Sequence, residues 1–353
     1  MKAWMLNDIG DIRLEDVAIP EPKENEVLIK VKAAGICGSD IPRIYKTGAH
    51  VMPLIPGHEF SGVVEGVGKN ASSELIGKRV AVYPKIACGK CIQCVNNRPH
   101  MCTQYDYSGS RRDGAFAEYV TVPEDNILLL PVSVTFEEAA MLEPLAVAAN
   151  AIRTGDTYNK DSPVAVCGLG TIGLMVVMLL KEAGYKNICV VGNKKLQKDL
   201  VYALGIDKEN FLDINKENVQ EWFRKKLNGG TSVYYECVGR NESISWGMDV
   251  LSPGGKMVLV GNPYSDMTFL KDTYWKILRN QLTITGIWNS RFSKKCIPNE
   301  KMDDWNYALS KISEGKIKPE ILITHKLAIE NLEKGFLIMR DKSEEYCKVM
   351  MTE

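Results

Sequence analysis

Hydrophobic and polar positions change rhythm along the chain. From Glu26, "EVLIKVKAAGIC" sets apolar residues at alternating positions, the pattern of a strand with one buried face. "GVVEGVG" from Gly62 and "RVAVYP" from Arg79 are shorter β-rich pieces, so residues 1–145 read as strands punctuated by turns. From Pro163 the texture differs. "VAVCGLGTIGLMVVMLLKEAG" is a short apolar run, a glycine turn and then a long apolar helix. A strand "NICVV", a helix over Lys194–Leu204 and a strand "NFLDI" follow, and "TSVYYECVG" and "GGKMVLVG" predict further buried strands. Strands alternating with helices predict an α/β domain with a doubly wound parallel sheet. Beyond about Ile287 come an amphipathic helix in "DDWNYALSKISEG" and a final strand in "CKVMMTE".

Composition narrows the class. A chain of 353 residues with 45% hydrophobic content buries a sizeable core, and its length suggests two domains. Lys and Arg number 44 and so do Asp and Glu, which argues against broad binding to nucleic acid or an anionic membrane. The N-terminus lacks a secretory apolar run, and no window holds 18 continuous apolar residues. The expectation is a cytoplasmic protein, where clustered cysteines are more often metal ligands than disulfides.

Such a cluster is present. Cys88, Cys91, Cys94 and Cys102 lie in the fifteen residues "CGKCIQCVNNRPHMC". Two short spacings and a longer arm suit a four-thiolate structural zinc site, with Gly89 permitting the turn and Lys90 offsetting thiolate charge. An iron–sulfur cluster also uses four thiolates. A saturated site has no open position, so any chemistry must lie elsewhere.

Gly168, Gly170 and Gly173 form Gly-x-Gly-x-x-Gly between the apolar "VAVC" and the long helix. In that context the pattern predicts a dinucleotide site, with Thr171 and Ile172 at the helix start facing the phosphates. "CGSDIPRIYKTGAHVMPLIPGHE" holds Cys37, His50, His58 and Glu59, and Glu143 lies in the apolar "MLEPLAVAAN". A thiolate, an imidazole and a carboxylate together suit a catalytic zinc with an open position. Taken singly, Cys37 reads as a small buried hydrophobe and His58 as a hydrogen-bonded loop histidine.

"GHEFSGVVEGVG", "CGSD", the four-cysteine lobe and "GLGTIG" together resemble the zinc-containing medium-chain dehydrogenases, over essentially the whole chain. "CGSDIPRIYKTGAH", "GSRRDGAFAEYV" and "LTITGIW" resemble the galactitol-1-phosphate 5-dehydrogenase branch, with sorbitol and other polyol dehydrogenases as neighbours. The resemblance implies a GroES-like β-rich catalytic domain (1–149) carrying the zinc lobe, a Rossmann domain (150–286) and a C-terminal segment (287–353) that completes the first. It implies two zinc ions per chain, a nicotinamide cofactor and a homodimer or homotetramer. Cys37, His58 and Glu143 match the catalytic zinc ligands, and Glu59 matches a carboxylate touching zinc directly or through water. Ser39 matches the hydroxyl that relays the alcohol proton, and Asp40 an acceptor orienting His58. Pro42 and Arg43 stand where many relatives continue the relay with histidine.

Arg43, Lys46, Arg111 and Arg112 lie in the segments matching the sugar-phosphate branch, and arginine grips phosphate bidentately. They predict a polyol-phosphate substrate; the competing reading makes them surface or interface charges and the substrate a free polyol such as sorbitol. A different class, a non-catalytic redox or metal sensor on the same scaffold, is disfavoured because Cys37, His58 and Glu143 are all present. The second Rossmann strand ends in Gly192, Asn193, Lys194 and Lys195, without the acid that binds the ribose 2′-hydroxyl of NAD. This departure from the galactitol-1-phosphate branch predicts a preference for NADP(H) over NAD(H), with the lysines as point charges for the 2′-phosphate.

Overall fold

The computed structural model describes residues 1–157, 159–293 and 302–353, and they form two compact units. Met1–Glu143 and Ser290–Glu353 make one; Pro144–Asn289 makes the other. Strands are numbered in chain order.

The first unit opens with a hairpin of β1 (Lys2–Asp8) and β2 (Asp11–Asp16). Its main sheet has the order β16-β17-β3-β4-β5-β9, with β8 also paired to β3. Here β3 is Glu26–Ile36, β4 Glu59–Val67, β5 Arg79–Val82, β8 Tyr119–Pro123 and β9 Ile127–Leu129. The strand predicted from "EVLIKVKAAGIC" is thus the centre of this sheet. Its inward residues Val27, Ile29 and Val31 pack with Phe60, Phe116 and Phe336 in one apolar core. Strands β16 (Ile323–Leu327) and β17 (Lys348–Thr352) come from the end of the chain, and β17 runs antiparallel against Ala33–Ile36 of β3. A small pair, β6 (Lys85–Ile86) and β7 (Asp106–Tyr107), brackets the cysteine lobe.

The second unit is a six-stranded parallel sheet, in the order β12-β11-β10-β13-β14-β15. The strands are β10 (Val164–Cys167), β11 (Ile188–Gly192), β12 (Phe211–Asp213), β13 (Thr231–Glu236), β14 (Leu251–Leu259) and β15 (Thr283–Gly286). Reading the first strand as 1, this is the 3-2-1-4-5-6 order of the doubly wound dinucleotide fold. All four residues of β10 and all five of β11 are buried, the continuous apolar signature of a sheet covered on both faces.

Candidate active site

β3 and β4 are antiparallel neighbours, and Gly35 pairs with Glu59 across them. That register sets Cys37, just past the end of β3, beside His58 and Glu59 at the start of β4. One ligand atom from each of Cys37, His58 and Glu59 lies within 4.8 Å of the other two. His58 and Glu59 are buried and Cys37 half-buried.

Asp40 fixes the arrangement. It is fully buried, accepts from the Cys37 amide at 2.9 Å and pairs with Arg43 at 2.5 Å. Its Oδ1 lies 3.4 Å from His58 Nδ1, but that nitrogen has no hydrogen-bond partner. Burial works to lower the His58 pKa, yet the Asp40 carboxylate and the Cys37 sulfur carry it well above its ordinary value. An imidazole held this firmly among anions sits in a pocket built for a cation. Soft thiolate, imidazole and carboxylate fit zinc with a position left open. The Ser39 hydroxyl donates to Cys37 Sγ at 3.3 Å, beside that set.

The two carboxylates are held differently. Glu59 Oε2 accepts from Lys348 Nζ at 2.5 Å, and both side chains are buried. The same ammonium donates to the Ile36 carbonyl at 3.1 Å. A Cβ on Gly35 would stand 2.3 Å from Glu59 Oε2, so glycine is what admits the pair. Glu143 does not belong to the Cys37–His58–Glu59 set. It lies in the first turn of the helix Leu142–Gly155 and accepts from the Tyr107 hydroxyl at 3.3 Å. Burial pushes its carboxyl up to about 7, the Glu59 charge adds to this, and His58 opposes it. Sequence reasoning missed Lys348 and Tyr107. A lysine within the buried run of β17 was the available signal for the first; nothing local marked the second.

The basic residues assigned to phosphate separate. Arg43 is paired with Asp40, and Lys46 is exposed. Arg111 lies over the Tyr105 ring, 4.7 Å from its centroid. Arg112 binds Glu26 at 2.7 Å and the Thr121 carbonyl, tying a loop to the sheet rather than facing the zinc-ligand set. His50 is exposed.

The four-cysteine lobe is assembled. Cys88, Cys91, Cys94 and Cys102 bring their sulfurs within 4.8 Å of one another. Cys91 Sγ lies 3.5 Å from Cys94 Sγ and 3.8 Å from Cys102 Sγ. A tetrahedron with metal–sulfur bonds of about 2.3 Å has edges of about 3.8 Å, whereas a disulfide would need about 2.05 Å. Backbone amides of Cys88 and Cys91 point at the Cys102 and Cys88 sulfurs, favouring thiolates. Lys90 is exposed; the buried lysine of this lobe is Lys85.

In the second unit the glycine turn leaves β10. Gly168 has φ 92°, and a Cβ there would meet Val238 at 2.6 Å. A Cβ on Gly173 would stand 1.8 Å from the Gly168 carbonyl, which enforces close helix–turn packing. At Gly170 nothing lies within 4 Å, leaving the approach to the helix Thr171–Glu182 open for a pyrophosphate. Gly192 ends β11. Asn193 donates its amide to Gln197 at 3.2 Å, Lys195 is paired with Asp199, and Lys194 is the N-cap residue of the following helix.

Residues 23–132 match the alcohol dehydrogenase GroES-like domain, and residues 171–306 match the zinc-binding dehydrogenase domain. Galactitol 1-phosphate 5-dehydrogenase of Escherichia coli K12 is 31% identical over 338 residues, 95% of each chain. This chain belongs to the zinc-binding alcohol dehydrogenase family. The dehydrogenase is also 34% identical to L-threonine 3-dehydrogenase of Bacillus subtilis, over 96% of this chain and 95% of that protein. Among solved structures, galactitol-1-phosphate dehydrogenase from Escherichia coli superposes with a TM-score of 0.90 at 29% identity, covering 100% of both chains. A zinc-binding dehydrogenase from Sinorhizobium meliloti bound to NADP gives 0.88 at 26%, covering 100% of this chain and 99% of that one. RspB from Escherichia coli complexed with NADH gives 0.88 at 28%, with the same coverage. The protein is therefore an oxidoreductase of the zinc-dependent dehydrogenase family, whose members act on small-molecule alcohols with a nicotinamide cofactor. Among the described residues no helix is long and apolar enough to cross a membrane.

Proposed function

We propose that this dehydrogenase interconverts a secondary alcohol of a polyol phosphate, of the galactitol 1-phosphate type, with the corresponding ketose phosphate. The observation that carries the reading is the Cys37–His58–Glu59 donor set, with its imidazole and carboxylate buried, on a chain with an open dinucleotide turn. When bound, zinc supplies Lewis acidity that lowers the alcohol pKa, and the nicotinamide supplies the hydride acceptor. Cys37, His58 and one carboxylate would hold the metal, Asp40 would keep the imidazole in place, and Ser39 would take the alcohol proton. Glu59 is the carboxylate within the donor set; Glu143, held by Tyr107, is close enough to act electrostatically on His58 and Glu59. The cysteine lobe would hold a second, structural zinc.

The phosphate assignment rests on the E. coli relative and on exposed Lys46, since Arg43 is spent on Asp40 and Arg112 on Glu26. The L-threonine 3-dehydrogenase relative supports an amino-alcohol substrate as the competing reading. Comparing kcat/KM for galactitol 1-phosphate, galactitol, sorbitol and L-threonine decides between them. Equal values for galactitol and its phosphate, or a preference for L-threonine, would remove the phosphate.

NADP(H) is the preferred cofactor, because the end of β11 offers glycine, asparagine and Lys194 where an acid would repel the 2′-phosphate, with Lys195 beside them in an exposed pair with Asp199. An aspartate at 192 would press its Cβ against the side-chain ends of Leu169 (2.8 Å) and Gln197 (3.0 Å). Both can swing aside, so Gly192→Asp remains the informative change and shifts preference toward NAD. A wild-type preference for NAD at one pH and salt would refute this reading. The family resemblance supports a homodimer or homotetramer, which light scattering tests.

A further inference from the structure

Lys85 is a buried ammonium in the wrong company for an ordinary ion pair. It is 4% exposed, and among the described residues no carboxylate pairs with it. Its Nζ donates to the His100 carbonyl at 2.6 Å and lies 4.3 Å from the centroid of the Tyr105 ring. It therefore reaches from β6, three residues before Cys88, to the arm two residues before Cys102. The ionisable side chains that act on it are those of Cys102, Cys94 and Cys91; burial lowers its pKa, and these groups, when ionised, oppose that. A neutral lobe would leave the ammonium desolvated with only a carbonyl and a ring face, a costly arrangement. Four thiolates around a divalent zinc carry a net charge of minus two, which supplies the missing counter-charge.

We propose that Lys85 is the counter-cation of the four-cysteine metal site, a positioning residue that lowers the electrostatic cost of the tetrathiolate and pins the His100 arm, so that metal retention depends on it. The proposal rests on the lobe holding zinc, as proposed above. It concerns neither substrate nor hydride transfer.

The test uses the full chain loaded with zinc. Zinc lost to a colorimetric chelator is followed in wild type, Lys85→Met and Lys85→Arg, with Cys91→Ser identifying the structural pool. Removing a charged partner just outside a metal's ligands weakens retention about 10–100-fold. Lys85→Met is expected to lose the structural zinc faster by that order, and Lys85→Arg, which keeps the charge, to stay near wild type. A purely steric role would not reverse with metal, whereas this one does. Lys85→Met lowers Tm in zinc-loaded protein and raises it in zinc-stripped protein, where the ammonium has lost its counter-charge. Lys85→Gln serves for the same comparison where Lys85→Met does not fold. Wild-type-like zinc retention in the charge-neutral variant, or a Tm change of the same sign with and without zinc, overturns the proposal while leaving the zinc lobe standing. A wild-type lobe that binds no zinc overturns both.

Discussion

Replacing Lys348 by methionine removes one partner of a buried ion pair whose other member belongs to the catalytic donor set. Lys348 Nζ sits 2.5 Å from Glu59 Oε2 and 3.1 Å from the Ile36 carbonyl, and both charged side chains are buried. Methionine fills much of the same volume, so the cost is electrostatic rather than a cavity. Stranding one charge of a buried pair costs about 3–5 kcal/mol. For a domain of about 150–250 residues each kcal/mol moves Tm by roughly 2–4 °C, so a fall of roughly 6–20 °C is expected in zinc-stripped protein. With zinc bound, Glu59 has a second cation to face, and the loss is smaller. The double variant Lys348→Met, Glu59→Gln leaves no stranded charge and recovers most of the stability. Denaturant titration of the four proteins with and without zinc measures this cycle. A single-variant cost below about 1 kcal/mol, or strictly additive effects, would show that the pair does not support the site in the way argued.

Other outcomes follow from the same geometry. Cys91→Ser loses one zinc per chain and melts earlier; full metal content with an unchanged Tm would contradict the structural site. Ser39→Ala lowers kcat while cofactor affinity, read by titration of reduced nicotinamide fluorescence, stays unchanged; an unaltered kcat would place the proton relay elsewhere. Glu320 has its carboxyl pushed up to about 7, first by a hydrogen bond with the Glu138 side chain, then by burial and the Glu138 charge, with Lys318 and Lys326 opposing. Its folded pKa lies above the ordinary 4.5, so its contribution is fully present below about 4.5 and is lost as pH rises through about 7. Glu320→Gln therefore gains on wild type above pH 7 and not below about 4.5; because Glu320 is mostly exposed, the gain is under about 1 kcal/mol. A Tm difference independent of pH would refute the carboxyl pairing.

Legibility in the sequence followed the range of the interactions. The strand β3, the glycine turn and the cysteine spacing were readable because their periodicity and φ demands are local. Gly168 has positive φ and Gly173 has no room for a Cβ, as the motif requires. Lys348 and Glu59 lie 289 residues apart, and only the pairing of β17 with β3 brings them together. Arg112 looked like a phosphate ligand because its pairing with Glu26, 86 residues away, leaves no trace in local sequence. The compensating charge of the cysteine lobe was assigned to Lys90 inside the motif. Burial instead selects Lys85, outside it, which the β6–β7 pair places against the lobe. Glu143 was matched to the zinc by family resemblance; in the structure Tyr107 holds it, and Glu59 completes the compact donor set.

In the proposed function, Cys37, His58 and a neighbouring carboxylate hold the zinc on which alcohol oxidation depends. Metal analysis of wild type and Cys37→Ala, with substrate-dependent reduction of NADP followed on the same samples, tests it directly. Two zinc ions per chain are expected in wild type, and in the variant the loss of one zinc and of turnover, with the fold and the cysteine-lobe zinc retained. A Cys37→Ala protein that keeps both zinc ions, or turns over like wild type, would contradict it.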